Sequence, residues 1–167
     1  VFYFRFGVFV VAIIAYLKFD NRLLKFFFYS LLACFVILIF DGFWQYFSGK
    51  NIFGWEKVHE YRVSSFFGDE LILGSYLSRL FPILFGLGYF LFSKDKIKFS
   101  FLILVFIFSE ILIFLSGERT SFFFINLSAF FIIFFSKNLK LIRLTTLLAS
   151  LALIFFISLI DQTAKKR

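Results

Sequence analysis

FFFYSLLACFVILIFDGFWQYF, residues 26–47, decides the class of this chain. Its apolar residues neither alternate, as a half-buried strand requires, nor gather on one helical stripe; they fill the run. As a helix the segment rises roughly 33 Å at 1.5 Å per residue, and a bilayer core is about 30 Å thick. A barrel strand alternates and is about half as long. The segment therefore reads as a membrane-crossing helix, with Asp41 to Trp44 and, further on, Trp55 near its aqueous edge, where interfacial aromatics are expected.

Outward from this run, similar blocks occur at about 1–17, 71–92, 99–117, 121–135 and 144–160. The fold class expected is all-α: a polytopic transmembrane helical bundle of about six spans, forming one transmembrane domain over 1–167 and part of a larger bundle. Composition agrees. Of 167 residues 62% are hydrophobic, more apolar surface than a water-soluble core of this size can hide. The 33 Phe residues read as filling of lipid-facing positions. No linker, repeat or soluble domain interrupts the pattern. The chain contains no Met, so it is expected to be a fragment, and it shows no secretory signal pattern. The one cysteine, Cys34, lies inside an apolar run and excludes a disulfide framework. Thiol-redox, zinc and iron–sulfur chemistry are not expected, and neither a metal nor a cofactor is.

The net charge of +8 has a topological explanation. Three short stretches, 18–25, 93–98 and 136–143, hold Lys18, Arg22, Lys25, Lys94, Lys96, Lys98, Lys137, Lys140 and Arg143 against Asp20 and Asp95. The positive-inside rule places them in the cytoplasm, so no nucleic-acid partner is needed. The loop 48–70 balances Lys50, Lys57 and Arg62 with Glu56, Glu60, Asp69 and Glu70, and it faces out, as does the turn at Glu118–Arg119. The basic tail 161–167 runs against this parity.

Three stretches on the outer side carry a resemblance. The first is Gln45-Tyr46-Phe47, Gly49 and Asn51-Ile52-Phe53-Gly54. The second is Arg62-Val63-Ser64-Ser65-Phe66-Phe67-Gly68-Asp69, continuing into Leu73-Gly74-Ser75-Tyr76-Leu77 and Pro82. The third is Ser116-Gly117-Glu118-Arg119-Thr120-Ser121. In order and spacing the set, over roughly 40–135, resembles the bacterial O-antigen ligase and polysaccharide polymerase family of membrane glycosyltransferases. The resemblance implies an enzyme of the inner (cytoplasmic) membrane, multi-pass, acting in lipopolysaccharide or exopolysaccharide biosynthesis. It would transfer or polymerise a glycan from an undecaprenyl-diphosphate-linked donor onto a sugar or lipid-A-core acceptor at the outer face. It also implies diphosphate binding by Arg62 and Arg119, and an activating His in a later loop that this chain lacks, so the fragment alone is expected to be inactive. His59 lies in an earlier loop and is not given that role.

Physical chemistry supplies its own reading of these residues. Arg119 stands at the outer end of one apolar run and just before the next, with Thr120 and Ser121 as N-cap candidates. A guanidinium, free helix N–H groups and a positive dipole end would then converge on one anion site. Glu118 is placed to orient or neutralise Arg119. The competing reading of Arg119 is an interfacial arginine reaching the headgroups. Arg62 competes with a plain solvated loop charge. Gly68 suits a tight turn, and Asp69 is expected to cap the helix that follows. Asp41, Arg79 and Glu110 fall roughly 9–13 Å below the outer edge. Intramembrane charges are costly and usually paired, so Arg79 and Glu110 are expected as an ion pair, the alternative being a polar wall of the donor cavity. Two other classes remain open for the whole: a transporter or flippase of an anionic or lipid-linked substrate, and a non-catalytic membrane scaffold.

Overall fold

A computed structural model describes residues 22–59, 62–92, 94–135 and 140–160. Among them the chain is all-helical, with no strand. Helix α1 spans Arg22–Ser48, α2 Leu73–Phe92, α3 Lys96–Leu115, α4 Arg119–Phe135 and α5 Lys140–Ile160, with a 3-10 turn at Ser65–Phe67 before α2. The expected segment 1–17, the stretch 136–139 and the tail 161–167 lie outside the described residues.

Two helices, α1 and α2, are long and apolar enough to cross a membrane. The other three carry shorter apolar stretches, Ser100–Leu115, Arg119–Phe134 and Arg143–Ile157. At 1.5 Å per residue these rise roughly 21–24 Å, short of a bilayer core. Among the described residues two helices meet this measure, where about six spans were expected over the chain.

The helices pack into one bundle because every helix has apolar residues to bury. α2 lies against α3 and α4, α3 also against α5, and α1 against α2 and α3. At the centre Phe106 of α3 meets Phe81 and Phe85 of α2, with ring centroids at 5.4 and 4.8 Å. At one end Phe28, early in α1, packs against Phe92, the last residue of α2, with ring centroids at 5.2 Å. α1 and α2 are therefore antiparallel. At the opposite end α1 and α3 finish and α2 and α4 begin.

The basic stretches are less loop-like than expected. Arg22 and Lys25 lie in the first turns of α1, Lys96 and Lys98 in the first turn of α3, and Lys140 and Arg143 in that of α5. Asp95 starts α3: its carboxylate accepts from Lys98 N at 3.3 Å and pairs with Lys98 Nζ at 3.1 Å. These bonds to Lys98 hold its carboxyl below the usual range.

Candidate functional site

The end where α1 and α3 finish gathers all three sequence stretches, and polar side chains of the helices do the gathering. Asp41 and Gln45 sit one turn apart on α1, so they share a face. Both are fully buried. Asp41 accepts from Ile52 N at 2.8 Å and from Ser65 Oγ at 2.5 Å. Gln45 Oε1 accepts from Ser64 N at 3.0 Å and Ser65 N at 2.8 Å. Asn51 closes the near half of the loop by accepting from Trp55 N at 2.8 Å and donating to Ser65 O at 3.3 Å. Ser65 has φ +54°, a left-handed conformation that costs a non-glycine residue about 1 kcal/mol or more. Asp41 and Gln45 hold it there. Asp41 is thus an anchor for the loop at 48–70.

Arg62 joins that loop to the α3–α4 turn. Its Nε donates to Ser116 O at 3.1 Å and its Nη2 to Gly117 O at 3.2 Å. Val63 N adds a bond to Leu115 O at 3.2 Å. Gly117 has φ +71°, and a Cβ there would stand 2.9 Å from Arg62 Nε. Only glycine fits both the turn and the arginine lying across it.

Glu118 behaves differently from expectation. Its backbone carbonyl accepts from Phe122 N at 3.0 Å, which makes Glu118 the N-cap position of α4. Thr120 and Ser121 therefore lie inside the first turn. The Glu118 side chain crosses to α2. It accepts from Gly74 N at 2.7 Å, Ser75 N at 3.0 Å, Ser121 Oγ at 2.8 Å and Ser75 Oγ. The first N–H groups of a helix have no partner within it, and a carboxylate there also meets the positive end of the dipole. Gly74 lets the carboxylate come this close: a Cβ on it would lie 3.0 Å from Glu118 Oε1.

The expected cap Asp69 is corrected by the same contact. Tyr76 N bonds Ile72 O at 2.9 Å, so α2 starts after Ile72, and Asp69 stays exposed in the turn that Gly68, φ +58°, makes. Arg119 is exposed at the first position of α4, lining with Phe114, Gly117, Glu118 and Phe122 a recess of about 200 Å³. His59 is exposed and bridges to Arg62 by backbone alone.

The expected Arg79–Glu110 pair does not form. Arg79 is exposed on α2. Glu110 is 2% exposed and pairs with Arg143 of α5, which is fully buried, and it also accepts from Ser150 Oγ. Arg143 donates to Thr146 Oγ1 at 3.2 Å. Its Nε and Nη2 find no hydrogen-bond acceptor among the described residues. The guanidinium instead lies 4.8 Å from the Phe81 ring centroid and 5.8 Å from that of Phe85, whose faces attract cations. Sequence reasoning misses Arg143 by assigning it to a basic loop. The signal is present: Arg143, Thr146 and Ser150 recur at helical spacing, one polar stripe on an apolar helix.

Among the described residues no cluster of His, Cys, Asp and Glu is arranged to hold a metal ion. Compared with known proteins, the chain matches no family model, no curated protein and no solved structure.

Proposed function

We propose that this chain is part of a multi-pass glycosyltransferase of the bacterial inner membrane. It would transfer or polymerise a glycan from an undecaprenyl-diphosphate-linked donor at the outer face, with Arg62 and Arg119 as the diphosphate contacts. The membrane setting is supported by α1 and α2, which are long and apolar enough to cross, and by the surface. Phe26, Phe90, Phe130 and Phe155, on four different helices, are each at least 60% exposed. Apolar shells of this kind need lipid or protein around them. The proposal returns α3, α4 and α5 to the membrane as helices whose shorter apolar stretches are completed by their polar ends.

The observation that carries the reading is the junction of two motifs 54 residues apart. Arg62 lies across the Ser116–Gly117 carbonyls, two residues ahead of Arg119 at the head of α4. A donor diphosphate would meet one guanidinium fixed by the turn, a second on an exposed helix start, and the positive dipole end of α4. The Glu118 carboxylate is turned to the head of α2, where neutral N–H and O–H donors hold it. When the anomeric carbon leaves the phosphate oxygen for an acceptor hydroxyl, whose proton is released to the departing diphosphate or to water, negative charge grows on that lipid diphosphate. Preset arginines stabilise that charge more than they stabilise the ground state.

The test is product formation by the full-length protein from a diphosphate-linked glycan, normalised to the membrane-inserted amount. Arg119→Lys keeps the charge and loses the bidentate fork, so turnover falls strongly; Arg119→Ala falls further, and Arg62→Ala is severely impaired. Wild-type-like turnover in both Arg119 variants would overturn the assignment, because a snorkelling arginine is replaced freely by lysine.

A further inference from the structure

The outer loop contains a second recess, separate from the one at Arg119. It is an open recess of about 610 Å³, lined by, among others, Trp55, Glu56, Lys57, Phe66, Gly68 and Asp69. That volume lies within the roughly 300–1,000 Å³ of small-molecule clefts. Its chemistry is mixed in a particular way. Trp55 is half exposed although it sits among charged loop residues rather than on a lipid-facing helix. Phe53 packs against Trp55 at 6.0 Å and against Phe66 at 5.3 Å, so the aromatic wall is fixed from one side. Gly68 lies against the six-membered ring of the indole: a Cβ there would be 3.6 Å from Cε3 and 3.7 Å from Cζ3.

The polar members are unequal. Glu56 is tied to Lys50 at 3.0 Å, and Lys57 Nζ donates to Tyr46 O at 2.8 Å. Asp69 is exposed at the rim, in the turn that Gly68 makes. A flat aromatic face beside a carboxylate suits a ligand with one apolar C–H face and hydroxyls around its edge. That describes a pyranose ring, whose axial C–H bonds meet the negative face of the indole and whose paired hydroxyls donate to a carboxylate. The two carboxylates and one ammonium lining the recess favour neutral or amino-bearing sugars over uronic acids.

We infer that the Trp55–Asp69 recess is a saccharide-binding subsite for a neutral or amino-substituted pyranose. The inference deepens the glycan-transfer reading and takes from it the outer placement of the loop. The recess and the Arg62 junction share the 62–69 segment, which Asp41 and Gln45 hold from below. A sugar seated on Trp55 would belong to the glycan being handed over or extended, not to the diphosphate. The other setting for an exposed tryptophan is the headgroup belt of the bilayer. Trp44, the only other tryptophan, provides the control, because it lines an apolar groove between α1 and α3 with Phe40, Phe43 and Phe47.

The test uses the whole chain in detergent micelles on an array of bacterial surface oligosaccharides, with single-tryptophan variants read by fluorescence in vesicles containing a dibrominated phosphatidylcholine. Trp44→Phe leaves Trp55 as the only tryptophan. Binding to at least one neutral or amino-sugar oligosaccharide is expected, kept in Trp44→Phe and weakened about tenfold or more in Trp55→Ala and Asp69→Asn. Trp55 should be quenched by the brominated lipid much less than Trp44 is in Trp55→Phe. Absence of binding to every spot, binding indifferent to Trp55→Ala, or equal quenching of the two tryptophans would overturn the subsite. The two proposals fail separately. Transfer with an unchanged KM in Trp55→Ala removes the subsite and leaves the enzyme; saccharide binding without transfer by the full-length protein removes the enzyme and leaves the subsite.

Discussion

Glu110 lies within α3 and Glu118 at the start of α4, and each carboxylate is satisfied in a different way. Glu110 lies inside the bundle and is neutralised by a cation brought from α5, which is itself backed by two phenyl rings. Glu118 lies at the end of the bundle and is satisfied by a helix start: two backbone N–H groups and two serine hydroxyls. The first arrangement buries two full charges with an incomplete set of hydrogen bonds. The second sets one part-buried charge against partial charges that needed a partner anyway. A mid-bundle ion pair depends on both members, whereas a capping carboxylate stabilises its neighbours and can be lost at smaller cost.

The strongest test of that contrast is Arg143→Leu. It strands the Glu110 carboxylate and should destabilise the protein by about 3–5 kcal/mol, read from thermal unfolding in micelles. Adding Glu110→Leu should restore most of the loss. Simple additivity of the two substitutions would show that they are not coupled partners.

Glu118→Ala should cost about 1–3 kcal/mol, because Gly74 N and Ser75 N lose their acceptor while staying near the aqueous end. A loss as large as that of Arg143→Leu would erase the distinction between the two sites. Faster hydrogen exchange confined to the first turn of α2 would sharpen it.

Gly117→Ala should come next, at about 1–2 kcal/mol for the left-handed backbone, and it should also dislodge Arg62 from the turn. If donor turnover falls in step with Arg62→Ala while helix content is unchanged, the junction is the functional unit. If turnover is untouched, the contact is only structural.

The smallest loss is expected from Arg79→Leu, which should be neutral or slightly stabilising in micelles, because Arg79 faces out of the bundle from an apolar helix and Glu110 belongs to Arg143. A loss of several kcal/mol would restore the Arg79–Glu110 pairing that matching depths suggest.

Much of the architecture was legible in the residues. The runs at 26–47, 71–92, 99–117, 121–135 and 144–160 correspond to α1 through α5 with ends shifted by a few residues. Apolar blocks and their polar interruptions are local properties, so the shifts come mainly from basic residues that enter first turns. The candidate site was legible only in outline. That 45–54, 62–69 and 116–121 share one end followed from the alternation of runs. That Arg62 lies on Ser116 and Gly117, or that Glu118 caps α2 in place of Asp69, did not follow, because each involves elements more than forty residues apart.

The sequence by itself determined that the described residues are helical, where their helices run, and that most of their charges fall at the helix ends. These follow from hydropathy and from the 1.5 Å rise, which act residue by residue. The tertiary structure alone decided which charge compensates which. Depth along a helix can be counted from the chain, and it made Arg79 and Arg143 appear as an interior and a loop residue. The direction a side chain takes around the helix axis depends on how neighbouring helices pack. That packing turned Arg79 outward and Arg143 onto Glu110, because a buried carboxylate takes the cation whose helix faces it.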